Sequence, residues 1–124
     1  SENNTWTNLK RLVLARNSIS SVGAKSLSEN SSWQQLQNLS LEGNSIGDEG
    51  LAALAGNESW TKLESLGVAE NNITEQGAIA LSKNTSWKAL KVLNLKRSPL
   101  AEEEVSAVRK RWNGIEIKFK KGKK

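Results

Sequence analysis

Four stretches of one pattern decide the fold: LKRLVLARNSI at residues 9–19, LQNLSLEGNSI at 36–46, LESLGVAENNI at 63–73 and LKVLNLKRSPL at 90–100. Each stretch begins 27 residues after the previous one. In the first of them, Leu12 and Leu14 alternate with residues of mixed type, and this period of two predicts a short strand with one buried face. Apolar columns that keep one fixed step along the chain predict four tandem structural units.

The residues between these stretches predict a helix in each unit. SVGAKSLSEN at 21–30, DEGLAALAGN at 48–57 and EQGAIALSKN at 75–84 place small and apolar residues three and four apart, which is helical spacing. A strand, a helix and a following parallel strand form a right-handed crossover, and repeating it stacks strands on one side and helices on the other. The sequence therefore predicts a right-handed α/β solenoid with a parallel sheet.

The C-terminal residues predict a cap over the last unit. A helix is expected from about Ala101 to Trp112, with acidic residues 102–104 in its first turn and basic residues 109–111 in its last. Asn113 and Gly114 stop this helix, and the alternation of IEIKF predicts a fifth strand. The expected organisation is a single domain over residues 1–117, with repeats at about 5–31, 32–58, 59–85 and 86–112, a capping strand at about 115–119, and a basic tail at 118–124.

No comparable cap precedes Trp6 in the sequence. The first strand is therefore expected to have an open edge, and open strand edges recruit partners. Weak self-association through this edge is one expectation, and removal of preceding repeats from a longer repeat protein is another.

The four stretches resemble the leucine-rich-repeat pattern L-x-x-L-x-L-x-x-N-x-I/L, and GDEGLAAL and EQGAIAL resemble the helical half of the ribonuclease-inhibitor-like subtype. The resemblance covers about residues 5–108. It implies a curved horseshoe whose parallel sheet lines a concave face, whose helices line the convex face, and which commonly binds protein partners.

The asparagine of the pattern stands at Asn17, Asn44 and Asn71. A short amide at this point can donate to and accept from backbone groups in the turn that leaves the strand. The resemblance implies that these residues form a buried ladder. The fourth unit departs from the pattern with Ser98 and Pro99, so the ladder is expected to end there.

Tryptophans recur at the same 27-residue step, at Trp6, Trp33, Trp60 and Trp87. A stripe of exposed aromatic rings could bind sugars or bases, but a side chain repeated at a fixed step indicates one environment seen four times. We therefore expect these residues to pack between units, with each indole N–H bonded to backbone or water.

Composition excludes most catalytic chemistry. The chain has no cysteine, histidine, methionine or tyrosine, which removes disulfides, thiolate and imidazole metal ligands, and Ser-His or Cys-His nucleophiles. Gly23, Gly50 and Gly77 fit close contact of helix and sheet or the geometry of helix entry, because no phosphate-binding glycine motif accompanies them. We expect no catalytic residue, cofactor or metal ion, and a soluble chain for which the cytoplasm is favoured over secretion.

The net charge of +5 comes from the tail, since residues 118–124 hold five lysines and residues 1–117 balance 13 basic with 13 acidic residues. Such a tail is typical of a solvated end, and binding of nucleic acid or an acidic surface through it is an alternative function. N-x-S/T triplets, which can accept glycans in a secreted chain, occur at six asparagines and are interpreted as turn or helix-end residues: Asn3, Asn30, Asn38, Asn57, Asn72 and Asn84.

The outward positions of the strands differ between units, whereas the apolar columns stay constant. A rigid frame with a variable face is typical of a recognition module, which predicts protein binding through the concave face. A structural or engineered repeat scaffold without a native ligand remains an alternative. The candidate partner-binding residues are Arg11, Val13, Arg16, Asn38, Ser40, Glu42, Ser65, Glu70, Asn94, Lys96 and Arg97.

Overall fold

A computed structural model describes residues 8–119 of the chain. Strands and helices alternate strictly, in the order β1 Arg11–Val13, α1 Ser21–Ser28, β2 Asn38–Ser40, α2 Gly47–Ala55, β3 Ser65–Gly67, α3 Glu75–Ser82, β4 Val92–Asn94, α4 Glu102–Arg111 and β5 Glu116–Lys118. The strands form one parallel sheet in sequence order, and each helix packs against the next one along the chain. The predicted α/β solenoid is confirmed. Trp6, Asn3 and tail residues 120–124 lie outside the described residues.

Equivalent residues of successive repeats pair directly across the sheet. Leu12 pairs with Leu39, Leu39 with Leu66, and Leu66 with Leu93. Backbone bonding continues past the three-residue strands, because Leu14 N–H donates to Ser40 O and Arg16 N–H donates to Glu42 O, each at 2.8 Å. Residues after each strand are therefore held in register as firmly as the strand itself.

The core lies between the sheet and the helices. The apolar columns of repeats two to four are almost wholly buried, and each such side chain contributes roughly 1.5 to 3 kcal/mol to folding. In the first repeat the corresponding residues Leu9, Leu12 and Leu27 are only partly buried, since no described residue covers their outer side. No helix among residues 8–119 has the length and apolar character needed to cross a lipid bilayer.

Tryptophans form a stack at the junction between the helices and the following strands. The rings of Trp60 and Trp87, and of Trp87 and Trp112, stack with centroids 6.4 Å apart. The indole N–H groups of Trp60 and Trp87 are buried and have no protein hydrogen-bond partner among residues 8–119, so the expected bonding to backbone is not seen for these two. Trp112, which is also stacked, donates its Nε1–H to the Trp87 carbonyl oxygen at 2.8 Å.

Asparagine side chains join successive turns after the strands. Asn44 Oδ1 accepts the backbone N–H groups of Asn17 and Ile19, both at 2.9 Å. Its Nδ2 donates to the carbonyl oxygens of Leu14 and Leu41. Asn71 is wholly buried, and its amide joins the backbone of residues 41, 46 and 69 in the same way.

The expected burial of Asn17 is wrong, because its side chain is exposed and, within residues 8–119, donates only to Ala15 O. Among residues 8–119, no turn of another repeat lies on the outer side of Asn17, so backbone groups are present on one side alone. At the other end of the ladder, Ser98 is buried and its hydroxyl has no protein hydrogen-bond partner in the part of the chain that the structure describes.

A second asparagine ladder, which the sequence interpretation treated as turn residues, joins the loops before the strands. Asn57 and Asn84 are only 4% and 3% exposed. Asn84 Nδ2 donates to Ala55 O at 2.7 Å while its Oδ1 accepts the Trp87 N–H at 2.8 Å. Since both ends of these amides are used, Asn57 and Asn84 are closed to glycan attachment in the folded chain.

The C-terminal cap completes these columns with different residues. Arg111 Nε–H donates to the Asn84 carbonyl oxygen, at the position where the asparagine of a further repeat would donate. Trp112 ends the ring stack. Glu104 Oε1 accepts the Ala101 N–H at 2.8 Å, which satisfies one open donor at the start of α4. Ile115, Ile117 and Phe119 pack against the core, so strand β5 covers the last repeat as expected.

Candidate binding surface on the sheet

The candidate partner-binding residues lie on the side of the sheet that faces away from the helices, here called the open sheet face. Register places Arg11 beside Asn38 and Asn38 beside Ser65. It also places Val13 beside Ser40, Ser40 beside Gly67, and Gly67 beside Asn94. The variable columns of the sequence therefore form continuous rows across the strands.

A shallow groove of about 300 Å3 crosses the open sheet face. Its floor is made of small side chains on β2 and β3, where Ser40 and Ser65 are half-buried and Gly67 has no side chain. Longer side chains stand at its two sides, on β1 and on β4 and β5. The lining residues are Arg11, Leu12, Val13, Asn38, Leu39, Ser40, Glu42, Ser65, Gly67, Val92, Asn94 and Lys118.

One glycine in this floor lets a side chain reach across a strand. Glu42 lies over Gly67, and a Cβ on that glycine would stand 2.9 Å from Glu42 Oε2. The same oxygen accepts a hydrogen bond from Asn94 Nδ2 at 3.0 Å, so residues of repeats two and four are joined over repeat three. Gly67 and Ala69, which belong to the variable columns, are consequently buried rather than exposed.

A second row lies where the strands end, formed by Arg16, Gly43, Glu70 and Arg97. All four residues have left-handed backbone conformations, with φ between 59° and 71°. Their positions are fixed by the backbone ladder, because Gly43 N–H donates to Ala69 O at 3.0 Å and Glu70 N–H donates to Lys96 O at 3.1 Å. The charged residues of this row thus begin from one repeated backbone geometry.

Three members of this row form an ion-pair network that we call the arginine–glutamate triad: Arg16, Glu70 and Arg97. Arg16 Nη1 lies 3.2 Å from Glu70 Oε1, and Arg97 Nη1 donates to Glu70 Oε2. Arg16 reaches Glu70 by lying across Gly43, where a Cβ would stand 2.9 Å from Arg16 Cγ and 2.8 Å from Nη1. The sequence identified the three charged residues as separate candidates, but it did not show that one carboxylate holds both guanidinium groups.

Other candidates are not brought into this network. Arg11 and Lys96 are exposed and form no ion pair with another residue of the described chain. Val13 is 52% exposed, which places an apolar side chain at the β1 edge of the groove. Within residues 8–119, no group of acidic side chains is arranged to hold a metal ion.

Comparisons with known proteins agree with the repeat fold. The family model described as Leucine Rich repeat matches residues 7–28, 34–55 and 61–82, and the three matches repeat the 27-residue step. A solved Caenorhabditis elegans structure, a tropomodulin C-terminal domain, is similar with a TM-score of 0.71 and 17% sequence identity. The alignment covers 97% of this chain and 81% of that one, and at this identity it shows the fold alone. No curated protein matches the chain.

Proposed function

Because the chain belongs to the leucine-rich-repeat family, we propose that it is a non-catalytic protein–protein interaction module and that its open sheet face binds the partner. Domains of this family generally mediate interactions between proteins. The observation that carries the proposal is the groove, which receives side chains from all five strands of the sheet.

The groove suits recognition because its backbone and the polar pair over its floor are fixed before a partner arrives. The parallel ladder and the Asn44 and Asn71 bonds fix the backbone, while Asn94 and Glu42 hold each other across the floor. Side chains that are already ordered lose less conformational entropy on binding, so more of the contact energy appears as affinity. Arg11, Arg16 and Arg97 supply the side-chain type that is enriched among interface anchors.

The absence of catalysis in this proposal is supported by composition and by shape. The chain lacks histidine and cysteine, which serve most often as general base or activated nucleophile. The groove is open along the sheet, and the one carboxylate in its lining, Glu42, accepts a hydrogen bond from Asn94 and none from the Ser40 or Ser65 hydroxyl groups within residues 8–119. Such a surface can position a peptide but offers no means of activating it.

The test fills the groove and measures partner binding. Ser65→Trp places a large side chain on the floor, and Ser26→Trp places the same side chain on the exposed surface of α1 as a matched control. Affinity capture with the unaltered chain identifies its partners. The dissociation constant of each partner is then measured for the unaltered chain and for both variants. Ser65→Trp is expected to weaken binding about tenfold or more, because hot-spot contacts near the centre of an interface carry most of its energy.

A chain that lacks residues 120–124 serves as a further control. It is expected to retain its partners. Retained capture by Ser65→Trp, with loss of capture only when the tail is removed, would count against the open sheet face and in favour of the tail.

A further inference from the structure

We propose that Arg16 and Arg97 of the arginine–glutamate triad jointly bind a carboxylate of the partner, so that the docking segment of the partner is acidic. This inference rests on the proposed function, because it assigns the chemistry of one part of the open sheet face. It concerns the row at the ends of the strands rather than the groove floor.

The two guanidinium groups are held in place but remain largely unused. Each of them directs one nitrogen, Nη1, at Glu70, while the Arg16 and Arg97 side chains are 71% and 77% exposed. A guanidinium carries five N–H donors in a planar fork, so both arginines present further donors to solvent. A carboxylate matches this fork in geometry and in charge.

The backbone of this row indicates why the charges are there. A left-handed conformation is unfavourable for any residue except glycine, and Gly43 shows that glycine fits this position without strain. The other three repeats nevertheless carry Arg16, Glu70 and Arg97 in that conformation. Ser18 and Asn72 share this conformation, but in the triad the side chains that accept its cost also converge on one another, which points to a function of those side chains.

The local charge selects an acidic partner. The triad carries one net positive charge, and exposed Lys96 beside Arg97 adds a second. Complementary charge steers encounter, and like charge placed against this edge would be rejected. A nucleic acid fits this surface less well than an acidic protein segment does, because a phosphate backbone needs a longer run of cations and the face also carries Glu42.

The experiment uses an end-blocked octaglutamate peptide as the probe and the full chain as the receptor. Titration calorimetry gives the dissociation constant, and the arginine Nε–H signals in nitrogen-15 spectra report which side chains respond. Arg16→Gln and Arg97→Gln are each expected to weaken binding about tenfold, the usual worth of a charge-assisted pair. Arg109→Gln is the matched control, because it removes the same charge from an ion pair with Glu102 on α4, outside the open sheet face, and it should change affinity by less than about twofold.

Two further variants separate a built site from general attraction. Arg16→Lys keeps the charge but loses the planar fork, so it should still weaken binding severalfold. Glu70→Gln raises the local positive charge, and attraction by net charge alone predicts tighter binding. The triad predicts weaker binding, because Arg16 and Arg97 lose the carboxylate that orients them. Thermal unfolding by circular dichroism verifies that each variant is folded.

The inference is overturned if Glu70→Gln binds the probe more tightly, or if Arg109→Gln weakens binding as much as Arg16→Gln does. Equal affinity for a single-stranded oligothymidylate, with equal sensitivity to Arg16→Gln, would also overturn the assignment to a protein carboxylate. If the triad variants have no effect while Ser65→Trp still blocks partner capture, this inference fails and the proposed function stands. If Ser65→Trp leaves capture intact, the proposed function fails and the inference fails with it.

Discussion

Replacing Asp48 by alanine should uncouple the second and third repeats. Asp48 lies in the first turn of α2, but its carboxylate caps the start of α3 in the next repeat. Oδ1 accepts the N–H groups of Thr74 at 2.7 Å and Gly77 at 3.1 Å, and Oδ2 accepts the Thr74 hydroxyl. Asp48→Ala therefore removes three hydrogen bonds and leaves two open donors at the start of a helix.

The expected loss is about 2 kcal/mol. Hydrogen bonds to a charged acceptor contribute about 1.5 to 3 kcal/mol each when buried, but water replaces part of them at this half-buried site. Loss of a helix N-cap alone costs about 0.5 to 2 kcal/mol. With an unfolding entropy of about 2.1 cal/mol/K for each of the 124 residues, a loss of about 2 kcal/mol lowers the midpoint temperature by roughly 8 °C.

Urea unfolding followed by circular dichroism and by tryptophan fluorescence measures this loss. Glu49→Ala is the matched control, since Glu49 is the neighbouring acidic residue in the same helical turn, is exposed and accepts no side-chain hydrogen bond within residues 8–119. It should cost no more than about 0.5 kcal/mol. An Asp48→Ala chain as stable as the Glu49→Ala chain would refute the capping role, as would unchanged hydrogen exchange at the Thr74 and Gly77 amides.

Three further substitutions test other contacts by the same urea assay. Gly77→Ala should cost about 1 to 2 kcal/mol because its Cβ would stand 2.6 Å from Asp48 Oδ1, and this cost should shrink in an Asp48→Ala background if that contact is the cause. Asn71→Ala should cost about 3 kcal/mol by leaving buried backbone groups of residues 41, 46 and 69 without partners; a cost as small as that of exposed Asn38→Ala would contradict this. Ser18→Gly should stabilise the chain by about 0.5 kcal/mol, because Ser18 is exposed with a φ of 57°, and a loss of stability would argue against strain there.

The frame of the fold was predictable because one repeat equals one step of the sheet. When Leu39 pairs with Leu66 and Leu66 with Leu93, equivalent side chains meet, so a column of like residues in the sequence is a column of contacts in space. The helix positions followed from the same periodicity. The expected contact of Gly50 with the sheet is wrong, because Gly50 approaches the preceding helix, where a Cβ would stand 3.1 Å from the Ala24 Cβ.

Features that break the period were harder to predict. Trp112 continues the ring stack although it follows Trp87 by 25 residues and lies outside the 27-residue column. The sequence placed Trp112 at the end of a helix, which is correct, but a helix end alone does not reveal stacking. The second ladder is a different case, because Asn57 and Asn84 do recur in phase. Their bonding between repeats was not predicted, because both residues were interpreted only as turn or helix-end residues of N-x-S/T triplets.

The candidate site could not be predicted from the columns of equivalent residues, because its contacts join residues that lie two repeats apart. Arg16 pairs with Glu70 over Gly43, and Glu42 bonds Asn94 over Gly67. Each contact needs a long side chain in one repeat and a glycine in the next repeat, so neither of the two contacting residues alone predicts the contact. In a solenoid of this kind, the glycines on the open sheet face therefore decide which distant side chains act together. A glycine at such a position deserves the same weight as a charged residue when a binding surface is sought, because replacing it by a larger residue would separate two charges that both remain.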